Sequence, residues 1–486
     1  MTTLPAGLPV VVDRGAPGTL VAQISAQLQA AVAGGALRAG DRLPSSRDLA
    51  ATLGVSRTVV TNAYARLFAE GWLEGRHGSG TYVAGVAALL PGPAARRARP
   101  PLGPPPAAGR PPGPGGPARP GRVDLEPGVV WAEGIEPASW RRAWRAAGAR
   151  LPSRWPDPCG LPELRAEIAA YLRRSRGLAV SPAGVLVTQG VSGGLALLGQ
   201  HLLAPGTRAG MEEPGYPAGR DVLRQAGAEI VPVRVDVHGV VPGDLPGGLA
   251  LLYVTPAHQY PLGGRLPVAR RQALIAWARA TGAIIVEDDY DSEFRYDVGP
   301  LPALHSMDPG VIVYLGTASK VLAARFGLGW LVAPPPLVEA LAELAPRVGG
   351  RVPEPVQHAV LALLRSGDLE RHVRRMRLEY ARRRAALIEG LAPVAAPGPG
   401  DRGEPRPPRL LGDTAGMHMV LALPGGYPAA RLAEAAAAAG VVVYPLDRYY
   451  AGPPAMSGLV LGYGAATVPQ IRQATAILAP LLARLP

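Results

Sequence analysis

Residues 91–120 hold twelve prolines and follow no apolar period of any kind. A stretch of that composition is extended, semi-stiff and partly polyproline-like, and it packs no core. Whatever this chain folds into must therefore be built on either side of it. The wider interval 86–122 also carries six arginines and no acid, so it reads as a solvated spacer. The expected organisation is a folded segment over 1–85, a linker over 86–122 and a larger folded segment over 123–486. At 486 residues the chain is in any case too long for one ordinary core.

The first segment has the period of short helices followed by a hairpin. Leu20, Ile24, Leu28 and Val32 recur every four residues and end at a Gly pair, which predicts an amphipathic helix. "SSRDLAATLG" predicts a short second helix capped by Ser45 or Ser46 and stopped at Gly54. "SRTVVTNAYARLFAEG" opens on a cap at Ser56 and keeps Val59, Ala63 and Leu67 on one side. "GWLEGRHGSGTYVA" predicts two strands around a glycine-rich tip. Two short helices joined by a Gly-containing turn, then a hairpin, make a winged helix-turn-helix.

Beyond the linker, strand-like runs alternate with helical ones. "GVLVTQ", "AEIVPVRV", "LALLYVTP", "AIIVEDDY" and "VIVYLGT" are short and rich in β-branched residues, with helical segments such as 191–204 and 267–281 between them. This alternation predicts a mostly parallel sheet wrapped by helices. Residues from about 413 to 486 read as a smaller α+β region.

Charge and cysteine content narrow the setting. The formal net charge is +13, but the linker accounts for much of it, because residues 1–85 carry seven arginines against five acids. Net charge by itself is thus weak evidence for nucleic acid. The one cysteine, Cys159, makes no internal disulfide and has no ligand cluster beside it to build a zinc site. No run approaches the roughly 20 apolar residues of a membrane-spanning helix, and the N-terminus lacks a signal-peptide pattern. A reducing cytoplasm, with no metal and no membrane, is the expected environment.

One further oddity needs a chemical reason. Of the 50 lysines and arginines, only Lys320 is lysine. Arginine replaces lysine as a solvated charge but stays protonated, so it cannot act as an amine nucleophile. A lysine that must form an imine has no arginine substitute.

The motifs around these features carry two family resemblances. "GDRLPSSRDLA", "GVSRTVVTNAYARL", "GWL" and "GSGTYV" together resemble the GntR family of bacterial winged-helix repressors over some 50 residues. The resemblance implies that Arg47 and Arg57 contact double-stranded DNA, with Ser56 and Thr58 at the start of the recognition helix and His77 and Gly78 in the wing. A guanidinium at the first turn of that helix can pair with guanine in the major groove, while hydroxyls and the helix N-terminus can hold phosphates.

"WPDPCGLPELRAEIAAYLRRSRG", "VTQGVSGGLAL", "EEPGYP", "VTPAHQYPLGG", "VEDDYDSEFRY" and "YLGTASK" resemble, in order and spacing, the fold type I aminotransferases. They look closest to the aminotransferase-like domain of MocR-type regulators, in which a GntR-type domain is joined to this domain by a long linker. The implied fold is α/β, with a winged helix-turn-helix linked to a fold type I domain comprising a large α/β part and a small C-terminal α+β part. The implied cofactor is pyridoxal 5′-phosphate. Lys320 would form the imine and Asp288 would partner the pyridine nitrogen. Tyr290 would hydrogen-bond the ring oxygen, with His258 or Gln259 near the same atom, and Tyr216 would stack on the ring. The amides of "GVSGG", including Gly193, would cradle the phosphate with Ser192 and either Ser319 or Thr317.

The sequence departs from the pattern at one point. Related sequences usually place a phosphate-binding arginine seven residues after the lysine, where this chain has Gly327. Either Arg325 substitutes through a local shift or the cofactor is held more weakly. Arg448 is the candidate for binding an effector carboxylate.

The resemblance implies a homodimeric transcription regulator that senses pyridoxal phosphate, or its imine with a small amine or amino acid. Two reading heads would recognise repeated half-sites. The alternative reading is an aminotransferase with an appended DNA-binding domain, and whether any transamination occurs stays open.

Overall fold

The computed structural model describes residues 10–16, 18–76, 80–84, 121–296, 302–323, 326–397, 408–412, 414–425 and 427–484. The chain forms two compact units, residues 1–111 and 112–486.

The first unit has helices Leu20–Ala33, Ser46–Leu53 and Arg57–Ala69, then an antiparallel hairpin of Leu73–Arg76 against Gly80–Val83. Ser45 caps the second helix by accepting the Asp48 amide at 3.2 Å, and Gly54 ends it in the left-handed conformation. Ser56 takes the N-cap place of the third helix, but its side chain caps nothing. The buried stripe of that helix is Val60, Ala63, Tyr64 and Leu67, with Val59 only half-buried. The stripe therefore lies one residue on from the expected Val59, because 60, 63, 64 and 67 complete the helical period that the tyrosine extends. These side chains close over Ile24, Leu28, Leu49, Leu73 and Val83.

The second unit is organised by an eight-stranded sheet, in the order Val185–Thr188, Gly329–Val332, Ile312–Thr317, Ile284–Asp289, Leu249–Val254, Arg208–Glu213, Glu229–Asp236 and Gly239–Val240. The central five are parallel. Gly329–Val332 runs antiparallel to both its neighbours, and Gly239–Val240 closes the far edge as an antiparallel turn-back. The mostly parallel sheet expected from the alternation is present, with three strands beyond the five expected. Strand residues 249–254, 284–289 and 312–317 are nearly all buried, as a sheet covered on both faces requires. Helices including Pro162–Arg176, Gly190–Leu202, Val268–Thr281 and Glu354–Arg365 cover it.

The smaller C-terminal sheet has the order Ala396–Pro397, Arg409–Leu411, His418–Ala422, Gly458–Gly462, Tyr444–Pro445. Its core also takes in residues from far upstream. Val123–Asp124 pairs in parallel with Val441–Val442, and Val123, Leu125 and Val130 share one apolar cluster with Leu387, Leu421, Leu459 and Leu478. The segment after the linker thus begins inside the C-terminal region, which extends beyond the 413–486 expected. A loop clasp ties this region to the large sheet. Tyr449 O accepts the Gly215 amide at 3.0 Å and the Arg220 guanidinium, and Glu213 accepts the Gly452 amide at 3.1 Å.

Candidate functional site

The carboxyl ends of the parallel strands converge on one cavity of about 260 Å³, the place where open α/β sheets present their loops to ligands. Asp288 stands at the end of Ile284–Asp289, and Thr317 ends Ile312–Thr317. Lys320 follows in the turn after Thr317. Its Nζ lies 2.7 Å from the carbonyl oxygen of Gly128, so the segment 123–130 supplies one wall.

Of the residues singled out in the sequence, Lys320, Asp288, Tyr290, Tyr216, Ser192, Thr317 and Ser319 line this cavity together, as does Gly327. The two ends of the cavity differ in chemistry. At one, Gln189, Gly190, Val191 and Ser192 open the helix Gly190–Leu202, and the Thr317 and Ser319 hydroxyls lie nearby. Unsatisfied amides and hydroxyls at a helix start form an anion cradle. Gln189 is locked outward by donating to the carbonyls of Gly349 and Arg351. At the other end Asp288 is buried, and its Oδ2 accepts the Tyr253 hydroxyl. Its Oδ1 has no partner.

Electrostatics sharpens this contrast. Burial pushes the Asp288 carboxyl up to about 7; Asp289 and Asp291 add to the effect, while Tyr253 and Lys320 oppose it. Burial also lowers the Lys320 ammonium below the usual lysine range, against the pull of Asp291 and Asp288. An amine whose proton is held less tightly is a better nucleophile at neutral pH. Tyr216 hydrogen-bonds Ser192 across 3.3 Å, and its ring lies nearly parallel to that of Tyr253, 6.4 Å away at 23°.

A buried acid behind the cavity fixes the strand end. Asp289 accepts Arg176 Nε at 2.6 Å and the Tyr314 hydroxyl at 2.7 Å, and both members of the ion pair are almost wholly buried.

Other expected residues lie elsewhere. His258 and Gln259 do not line the cavity. His258 packs behind Tyr290, its Nδ1 2.9 Å from the tyrosine oxygen. Gln259 is consumed by its own turn, bonding Pro214 O, Tyr260 O and the Leu262 amide. Gly193 sits in the first helical turn, one step beyond the lining. Arg448 lays its guanidinium over the Tyr444 ring at 5.0 Å and does not reach the cavity. Arg325, His77 and Gly78 lie outside the described residues.

The sequence reasoning missed Tyr253, Thr255, Tyr260 and Gly128, all part of the lining. A tyrosine inside the otherwise apolar "LALLYV" was a usable signal for Tyr253, since a buried hydroxyl needs a partner. No local pattern marks Gly128.

In the first unit, Arg47, Ser56, Arg57 and Thr58 are exposed, and Arg57 Nε reaches Ser46 Oγ at 3.4 Å. Thr61, Asn62 and Ala65 continue the exposed face of the third helix, opposite its buried stripe.

The donor set fits pyridoxal 5′-phosphate. An unpartnered buried carboxylate oxygen suits a protonated ring nitrogen, the helix start suits a phosphate, and Lys320 is the sole cation among the described lining residues.

Comparisons with known proteins agree with both halves. Residues 133–401 match the family model "Aminotransferase class I and II", and residues 20–83 match "Bacterial regulatory proteins, gntR family". The chain is 38% identical over 459 residues to the HTH-type pyridoxine biosynthesis transcriptional regulator PdxR of Corynebacterium glutamicum, covering 94% of this chain and 95% of that one. It is 32% identical over 471 residues to the probable rhizopine catabolism regulatory protein MocR of Rhizobium meliloti, covering 93% and 92%. Among solved structures, an archaeal alanine:glyoxylate aminotransferase superposes with a TM-score of 0.68 at 26% identity, over 74% of this chain and 91% of that one. No described helix is long and apolar enough to cross a membrane. The chain thus belongs to the MocR-type branch of the gntR family, transcriptional regulators that join a DNA-binding winged helix to a fold type I aminotransferase domain.

Proposed function

We propose that this regulator binds pyridoxal 5′-phosphate in the cavity beside Lys320, and that imine exchange there with a small amine or amino acid sets its affinity for DNA. The observation that carries the reading is the pairing, in one cavity, of the chain's single lysine with a buried carboxylate whose Oδ1 has no partner. The bound cofactor supplies an aldehyde to the amine and a cationic ring nitrogen to the acid. Tyr216 orients the ring, and the start of the helix Gly190–Leu202 holds the phosphate.

The printed name of the Corynebacterium relative concerns pyridoxine biosynthesis, which supports a role in regulating the supply of this cofactor. The working form is a homodimer in the cytoplasm, whose two winged helices read repeated half-sites. Arg47, Ser56, Arg57 and Thr58 are the contacts, joined by His77 and Gly78. A ligand preferred by one conformation of the large domain shifts the population that binds DNA.

The test is a titration of the purified chain with pyridoxal 5′-phosphate, followed by visible absorption beside a Lys320→Ala variant. An imine band in the wild type that vanishes in the variant supports the reading. No band at saturating cofactor overturns it. Steady conversion of an amino acid to its keto acid by the loaded protein would instead favour the aminotransferase reading.

A further inference from the structure

Behind Tyr290, out of contact with the cavity, lies a buried cluster that the binding reading does not use. The Nδ1 of His258 sits 3.0 and 3.2 Å from the two carboxylate oxygens of Asp291 and 2.9 Å from the hydroxyl of Tyr290. All three residues are buried. The other ring nitrogen, Nε2, has no partner.

One ring nitrogen thus faces two partners, and their chemistry decides where the protons sit. An ionised carboxylate only accepts hydrogen bonds, so Asp291 requires the His258 proton on Nδ1. The partnerless Nε2 then carries a lone pair rather than a stranded N–H, which is the less costly of the two in a dry site. With Nδ1 already a donor, Tyr290 Oη can meet it only as an acceptor. The tyrosine's own proton is thereby turned away from His258, towards the cavity that Tyr290 lines.

The other charged or titratable groups around the cluster do not upset this order. His418, whose ring centroid lies 5.1 Å from that of His258, is pushed down to about 3 by burial and by the neighbouring His258, and its Nε2 meets Pro261 O at 2.9 Å. Tyr290 is held well above the usual tyrosine range by burial, with Asp291, Tyr260, Asp288 and Glu212 adding, so it keeps its proton. From the cavity side Lys320 acts on both His418 and Asp291.

We propose that Asp291 and His258 are positioning residues that fix the Tyr290 hydroxyl as a hydrogen-bond donor into the cavity. The wall they set accepts an oxygen carrying negative charge, such as the ring oxygen of the cofactor. The choice of that oxygen rests on the function proposed above, whereas the direction of the hydroxyl does not. A donor at the ring oxygen competes with the imine proton for the same lone pairs, so it lowers the pH at which the imine loses that proton.

Two measurements on the full chain test this separately. In ¹⁵N-histidine-labelled protein without cofactor, the chain has eight histidines, and a His258→Gln variant assigns the signal. The expected result is the Nδ1–H tautomer at His258 in the wild type, and the Nε2–H tautomer there overturns the proposal. With pyridoxal 5′-phosphate added, the pH midpoint of the imine band should rise by about one unit, a tenfold change in proton affinity, in His258→Leu, which removes the donor to Tyr290 but leaves in place the Asp291 charge that acts on Lys320, and at least as far in Tyr290→Phe. A midpoint that moves in Tyr290→Phe but not in His258→Leu, or in neither, also overturns it. Absence of any band in the wild type would sink the cofactor reading and leave the tautomer measurement to decide the direction of the hydroxyl.

Discussion

The Nζ of Lys320 rests 2.7 Å from the carbonyl oxygen of Gly128, a residue 192 positions earlier that adopts a φ of +80°. A Cβ on Gly128 would lie 2.7 Å from the same nitrogen. The amine is therefore parked against a backbone that tolerates no side chain. Gly128→Ala should weaken imine formation about tenfold or more through strain and displacement of the lysine. Titration with pyridoxal 5′-phosphate reads this, and an unchanged half-saturation point would show that the lysine does not depend on this contact.

Asp288 makes the stability of the cofactor-free protein depend on pH. Its carboxyl is raised to about 7 by burial, against about 4 in the unfolded chain. Between those values the folded state binds more protons than the unfolded one, so the contribution is full below about 4, falls as the pH rises, and is gone by about 7. Melting curves of the cofactor-free protein over that window should be flatter for Asp288→Asn than for the wild type. Bound cofactor should flatten the wild type as well, by giving the carboxylate a cationic partner.

The pairing of Arg176 with Asp289 is a buried ion pair at 2.6 Å. Removing one charge strands the other in a dry site, at a cost of roughly 3–5 kcal/mol. Arg176→Met should lower denaturant stability by that order. Asp289→Asn strands the Arg176 cation in the same way and should cost the same order, eased only by the hydrogen bonds that an amide oxygen can still accept from Arg176 and Tyr314. A loss from Arg176→Met with none from Asp289→Asn would mean that shape and hydrogen bonding rather than charge dominate there.

Two serines at helix starts should behave in opposite ways. Ser45 caps its helix, and Ser45→Ala should destabilise the first unit by about 1 kcal/mol. Ser56 occupies the corresponding place without making a capping bond, so Ser56→Ala should leave stability nearly unchanged and weaken DNA binding alike for all sequences. Thermal melts and gel-shift titrations separate the two effects.

Arg57→Ala should cost about 1–3 kcal/mol of specific binding and relax the preference at one guanine in each half-site. Selection from a randomised duplex library with each protein would read this directly. A uniform loss with unchanged preference would make Arg57 a phosphate contact.

Much of this architecture was legible in the chain because its signals are local. The proline run separates two folding units, short runs rich in β-branched residues alternating with helical segments mark the parallel strands and their helices, and a lone lysine draws attention to itself when every other cation is arginine. What escaped was either short or distant. Gly329–Val332 is four buried residues beginning on glycine, too brief to show a period. The pairing of Val123–Asp124 with Val441–Val442 joins segments over 300 residues apart, and Gly128 enters the site only as its consequence. Motif order placed His258 at the cofactor, but distances move it one layer back, because Tyr290 stands in front of it.

The backbone at Gly327 has a further implication. Its φ of +69° is a conformation that side chains with a Cβ adopt only under strain, of order 1–3 kcal/mol. An arginine introduced at 327 would therefore carry its guanidinium on a strained stem. A second cation at this corner of the cavity would thus call for a rebuilt loop or a side chain reaching in from elsewhere, not for a single substitution at 327.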